Sequence, residues 1–126
     1  MASTPQTLVA DVMTAPLETI AADATVREAA ERMRDQDINA LFVPGVDAGI
    51  ITTTDVVAAV AEGADLDETT VGDVMTAPVE RITTAEDLSE AAAMMTTFGI
   101  KHLPVIDDDG DYVGMVSTTD LTTQLA

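Results

Sequence analysis

A chain of 126 residues makes one compact domain or two small halves that share a core, and roughly two-thirds of the unfolded surface can be buried at this size. Hydrophobic residues are 47% and aromatics only 2%, so the interior is built from Val, Ile, Leu, Ala and Met; the absence of cysteine excludes disulfides and thiolate chemistry. Five Lys plus Arg against 23 Asp plus Glu leave a formal charge of −18, which repels nucleic-acid phosphates and anionic membrane surfaces alike.

The acids are spread along the chain rather than gathered in a tail. An acidic interaction surface is one reading. The other is a halophilic protein adapted to molar salt, where the Debye length is about 3 Å and self-repulsion is screened; the single Lys and the abundant Asp, Thr and Ala fit it. No apolar run approaches the roughly 18 to 20 residues of a membrane helix. The opening MASTPQTLVADVM lacks the basic and apolar regions of a secretory signal, so a soluble, cytoplasmic protein is expected.

In chain order, a lead-in over residues 1–8 precedes the hexapeptide DVMTAP at Asp11–Pro16. Leu17–Ile20 reads as a short strand after the proline. Thr25-Val-Arg-Glu28 is a capping-box pattern. Val26, Ala29, Ala30 and Met33 then fall at i, i+3, i+4 and i+7, the apolar stripe of an amphipathic helix. Ile38-Asn39-Ala40 leads into a strand over Leu41–Val43. GIITTTD at Gly49–Asp55 reads as a strand ending at Thr52, with a second helix following at once.

From here the pattern returns. DVMTAP recurs unchanged at Asp73–Pro78, 62 positions on. Val79–Ile82 repeats the strand, Asp87-Leu-Ser-Glu90 the capping box, and Leu88, Ala91, Ala92 and Met95 the stripe. Ile100-Lys101-His102 opens the strand Leu103–Ile106. The register slips once: five residues separate Val43 from Gly49, whereas eight separate Val105 from Gly114. The slip falls in Asp107–Asp111, where Asp-Gly signals a hairpin turn and loop length is cheap to vary. Beyond it GMVSTTD at Gly114–Asp120 matches GIITTTD, and a short helix follows. The chain is a duplicated module, strand–helix–strand–strand–helix, with repeat 1 over 9–64 and repeat 2 over 65–126. Met33, Met94 and Met95 read as core, and Met13 and Met75 as anchors of the segment before each first strand.

The segment Gly-h-h-[ST]-x-x-Asp, where h is apolar, supports two readings. Ser or Thr followed three residues later by an acid is a capping box and can be nothing more. The same geometry suits a ligand: a helix N-terminus and a hydroxyl favour phosphate, and a carboxylate in the first turn can accept from two ribose hydroxyls. Asp107–Asp111 is rich in acids but lacks the spaced acids and distal Glu of an EF-hand loop, so a solvated hairpin tip is expected and no metal site is assigned. His102 has no identifiable partner nucleophile, and nothing argues for catalysis.

DVMTAP, the Thr-Val-x-Glu-Ala-Ala helix start, the His-Leu-Pro-Val-Ile strand and the closing Gly-h-h-[ST]-x-x-Asp together resemble a tandem pair of CBS domains. This module takes its name from cystathionine beta-synthase, and a pair is called a Bateman module. The likeness runs from about Val9 to Leu125. It implies an α/β (α+β) fold of two β-α-β-β-α repeats packed about a pseudo-twofold axis. It implies clefts that bind adenosine-containing ligands (AMP, ADP, ATP, S-adenosylmethionine), with the nucleotide as regulatory ligand and no further cofactor.

Carried over residue by residue, the main cleft would combine Thr52, Thr54 and Asp55 with Ile82, Thr83, Ile100, Lys101, His102 and Pro104. The second would combine Ser117, Thr119 and Asp120 with Ile20, Ala21, Ile38, Asn39 and Ala40. In both, Asp would hold ribose, hydroxyls and helix start would hold phosphate, and Ile would sandwich adenine. Lys101 and His102, with Arg81 near the same strand opening, would make the Asp55 cleft the one that prefers phosphorylated ligands. The likeness further implies a homodimer and regulation of a separate protein that the sequence does not name, with no nucleic-acid or membrane partner. A ligand-free structural dimerisation module and a metal-sensing variant are the alternatives.

Overall fold

The computed structural model describes residues 7–125, and for Leu125 the backbone alone. Most of the lead-in expected over 1–8 therefore lies outside the described residues, as does Ala126. In chain order the elements are α1 (Val9–Val12), α2 (Val26–Gln36), β1 (Ala40–Val43), β2 (Gly49–Thr52), α3 (Thr53–Ala61), α4 (Val71–Val74), β3 (Ile82–Thr83), α5 (Leu88–Phe98), β4 (His102–Ile106), β5 (Tyr112–Ser117) and α6 (Thr118–Leu125). They form two compact units. One is Glu18–Val79; the other joins the segment up to Leu17 to the chain from Glu80 onward.

In the unit Glu18–Val79, Thr25 caps α2 by accepting the Glu28 amide at 3.1 Å. The helix ends where Asp37 turns left-handed (φ 54°), and the Ile38 amide returns to the Met33 carbonyl. β1 and β2 then pair antiparallel, Ala40 against Thr52 and Val43 against Gly49. The strand expected over Leu17–Ile20 contracts to one parallel bridge, Thr19 to Phe42. Pro16 offers no amide and the chain turns at Ala22, which leaves room for only that pairing. The core is aliphatic, as composition requires: Ile20, Ala29, Met33, Leu41, Val43, Ile51 and Val71 are buried together.

The other unit repeats this plan with a fuller sheet. β3 runs parallel to β4, with Ile82 opposite Val105, and β4 pairs antiparallel with β5. Asp87 caps α5 by accepting the Glu90 amide, and Gly99 takes the left-handed position at its end. A bulge between Val105 and Ile106 absorbs the longer hairpin. At its tip the Asp107 carboxylate accepts the amides of Asp109 and Asp111. Val9, Ile82, Ala91, Met95, Leu103, Val105, Val116 and Leu121 form the core.

Val9 and Val71 occupy matching places in the duplicated sequence, and each is buried in the core made by the other repeat. The Val9 amide donates to the Glu86 carbonyl and the Val71 amide to the Ala24 carbonyl, both at 2.8 Å. The hexapeptides follow suit. Thr14 and Met115 exchange two backbone hydrogen bonds (2.8 and 3.0 Å), and Thr76 and Ile50 exchange two more (2.9 and 3.0 Å). The duplicated unit of sequence and the compact unit in space are thus offset by one arm.

This explains the glycine that opens each Gly-h-h-[ST]-x-x-Asp segment. A Cβ on Gly49 would stand 2.6 Å from Met75 Sδ and 3.0 Å from the Thr76 carbonyl oxygen. A Cβ on Gly114 would stand 2.8 Å from Met13 Sδ and 2.9 Å from the Thr14 oxygen. Hydrogen leaves the space that methionine fills.

Candidate ligand-binding site

Each unit brings one set of the expected site residues to the corner where its antiparallel hairpin runs into the following helix. In the unit Glu18–Val79 the Thr53 amide, the first of α3, donates to the Asn39 carbonyl at 3.1 Å. Ala40 pairs with Thr52 across the sheet. Asp55 Oδ2 accepts the Thr52 amide at 2.8 Å and the Thr52 hydroxyl at 3.2 Å. Thr54 is exposed, and Thr52 and Asp55 are half-buried. Ile38 and Asn39 line a groove of about 310 Å³ with Ala30, Met33, Arg34, Asp37, Thr53, Val56 and Val57.

The other unit builds the same corner from chemically different residues. The Thr118 amide donates to the Lys101 carbonyl at 3.0 Å, and His102 stands opposite Ser117 in the β4–β5 register. Asp120 Oδ2 accepts the Ser117 amide at 2.8 Å and its hydroxyl at 3.0 Å; the Asp120 amide returns to Ser117 Oγ at 3.3 Å. Lys101 and Thr119 are exposed. Burial lowers the pKa of His102 below the ordinary imidazole value, opposed by the Asp120 carboxylate and reinforced by Lys101. Arg81 reaches the Tyr112 hydroxyl at 3.5 Å.

The expected residues divide accordingly. Thr52, Thr54 and Asp55 lie in one unit with Ile20, Ala21, Ile38, Asn39 and Ala40. Ser117, Thr119 and Asp120 lie in the other with Ile82, Thr83, Ile100, Lys101, His102 and Pro104. Within its own unit the Lys101–His102 pair stands next to Ser117 and Asp120. Ile20 and Ile82 are core residues (5% and 3% exposed), and Pro104 is fully buried. Ile38 and Ile100 are half-buried and Ala21 is exposed. Sequence reading passed over Thr53 and Thr118, whose amides tie each helix start to the strand entry. Their signal was the unbroken Thr-Thr run ahead of each Asp.

Chemically, each corner offers hydroxyls, a carboxylate fixed by its cap, and the start of a helix. Asp107, Asp109 and Asp111 bring carboxylate oxygens within 4.8 Å of one another at the hairpin tip. There the Asp107 side chain already holds two turn amides. Among the described residues, no helix is long and apolar enough to cross a membrane.

The sequence profile of the CBS domain matches residues 9–62 and 71–126, and the chain belongs to the CBS domain family. An uncharacterised protein of Methanopyrus kandleri is 33% identical over 101 residues, 77% of this chain and 52% of that protein. The homoserine O-acetyltransferase of Methanocorpusculum labreanum is 37% identical over 123 residues, 94% of this chain and 24% of the enzyme. The chain therefore spans about half of the first relative and about a quarter of the second. Among solved structures, the CBS domain pair of protein MJ0100 in complex with 5′-methylthioadenosine and S-adenosyl-L-methionine superposes with a TM-score of 0.86 at 29% identity, covering 96% of this chain and 97% of that one.

Proposed function

We propose that this CBS pair is a regulatory module that binds an adenosine-containing ligand, of the AMP, ADP, ATP or S-adenosylmethionine class, and signals to a partner protein. The observation that carries this reading is the doubled corner: in both units a Thr or Ser hydroxyl and an Asp carboxylate are fixed at the start of the helix that leaves the hairpin. Both cap contacts use Oδ2, so Oδ1 can accept from ribose hydroxyls. The MJ0100 pair, solved with two adenosine derivatives, supports the ligand class.

Lys101 and His102 sit with Ser117 and Asp120, which supports placing the charged end of a phosphorylated ligand at the Asp120 corner. The Asn39–Asp55 corner has no cation on its strand entry, and the guanidinium lining its groove, Arg34, is paired with Asp35, which suits a nucleoside or a weakly charged ligand. The protein acts by binding rather than by turnover, as a homodimer in a salt-rich cytoplasm. A ligand can shift its shape only through a difference in affinity between two shapes.

One observation favours a second reading. Both carboxylates already serve as caps, which is all that a ligand-free assembly module requires. The two are separated by unfolding experiments with AMP, ADP, ATP and S-adenosylmethionine on the wild type, Asp55→Asn and Asp120→Asn. Asn keeps an acceptor for the cap and removes the charge. A ligand-induced rise lost in Asp120→Asn supports the sensor; no rise with any of the four supports the assembly module.

A further inference from the structure

We infer that Met13 and Met75 are oxidation sites at which a hydroperoxide unlatches each hexapeptide from its sheet. Both thioethers lie against a glycine so closely that a Cβ there would come within 2.8 and 2.6 Å of sulfur. Both are half-buried, as are Met94 and Met115, so an oxidant reaches them from solvent, whereas Met33 and Met95 are 3% and 5% exposed. Among the described residues only Met13 and Met75 have their sulfur packed on a glycine. The chain has no cysteine, so thioethers are its only oxidisable sulfur.

In the reaction a sulfur lone pair attacks the terminal oxygen of the hydroperoxide. The O–O bond breaks, an S–O bond forms, and the oxidant leaves as water or alcohol. Sulfur is oxidised to the sulfoxide, and methionine sulfoxide reductases reverse the step. An oxygen on the glycine side of sulfur has no room. On the open side it turns an apolar anchor into a polar one. In either case the anchor holding Thr14 to Met115, or Thr76 to Ile50, is weakened. These latches lie two residues before Ser117 and Thr52 on the same strands, so release loosens the strand that ends at each corner.

The test uses the full chain with hydrogen peroxide, peptide mass mapping and amide hydrogen exchange. Met13 and Met75 form sulfoxide before Met33 and Met95, and the amides of Thr14, Met115, Ile50 and Thr76 exchange about tenfold faster or more. Reductase treatment restores protection, and Met13→Leu/Met75→Leu keeps it throughout. Sulfoxide at both positions with unchanged exchange overturns the inference, as does peroxide-dependent exchange that persists in the double variant. If that variant does not fold, the wild-type time course decides: exchange that fails to follow sulfoxide formation and its reversal is equally contrary.

Discussion

The sulfur of Met75 fills the space in which a side chain on Gly49 would begin, and the sulfur of Met13 does the same at Gly114. The two contacts connect the two repeated motifs of the sequence, the hexapeptide and the glycine-led strand, which lie far apart along the chain and meet only in the folded units.

Gly49→Ala and Gly114→Ala should each destabilise the protein. The added carbon meets a movable sulfur but also a backbone carbonyl oxygen at 3.0 or 2.9 Å, which cannot withdraw without breaking the bridge to the hexapeptide. Overpacking of this kind costs about 1–3 kcal/mol, a fall of several degrees in unfolding midpoint. Thermal unfolding measures it. Combining Gly49→Ala with Met75→Ala should recover part of the loss; a double variant worse than the sum of its singles would contradict the contact.

The caps predict a cost that is independent of ligand. Asp55→Ala or Asp120→Ala removes the acceptor for a strand-end amide and hydroxyl, and lost caps cost about 1 kcal/mol. The Asn variants should lose less. Denaturant unfolding in ligand-free buffer separates this structural term from any loss of binding.

His102 gives a pH dependence of defined sign. Its folded pKa lies below the ordinary value of 6.5, chiefly through burial. As pH falls through 6.5 the unfolded chain takes up the proton first, so stability is intact above that value, declines below it, and levels off beneath the depressed folded pKa. The measurement is therefore the stability difference between wild type and His102→Gln from about pH 8 to pH 5. It should be flat above the imidazole range and turn against the wild type within it.

The charge of −18 makes stability depend on salt. Raising KCl from about 0.1 M to 1 M shortens the Debye length from about 10 to about 3 Å, and the unfolding midpoint should climb. A midpoint that is unchanged or falls would refute salt adaptation and leave the acids to a partner-binding role.

Much of this was legible in one sequence because local signals agree with the fold. Thr25 and Asp87 cap the helices they were expected to cap, and the stripes through Met33 and Met95 face the cores. What could not be read was tertiary. Nothing local in DVMTAP tells which sheet it joins, because both copies are identical and the choice rests on Val9 and Val71 entering different cores. Periodicity likewise locates Lys101 and His102 at a strand entry, but only the β4–β5 register and the Thr118 amide bring Ser117 and Asp120 beside them.

The most direct measurement is thermal unfolding in molar KCl with and without each adenosine ligand, for wild type, Asp55→Asn and Asp120→Asn. At a hundred times its dissociation constant a ligand adds about 2.7 kcal/mol, which raises the midpoint of a chain this size by several degrees. A sensor with its phosphate end at Lys101 and His102 gives that rise with a phosphorylated ligand and loses it in Asp120→Asn. A rise lost in Asp55→Asn instead would move the phosphate preference to the other corner. No rise with any saturating ligand would contradict ligand sensing and leave the paired carboxylates as caps.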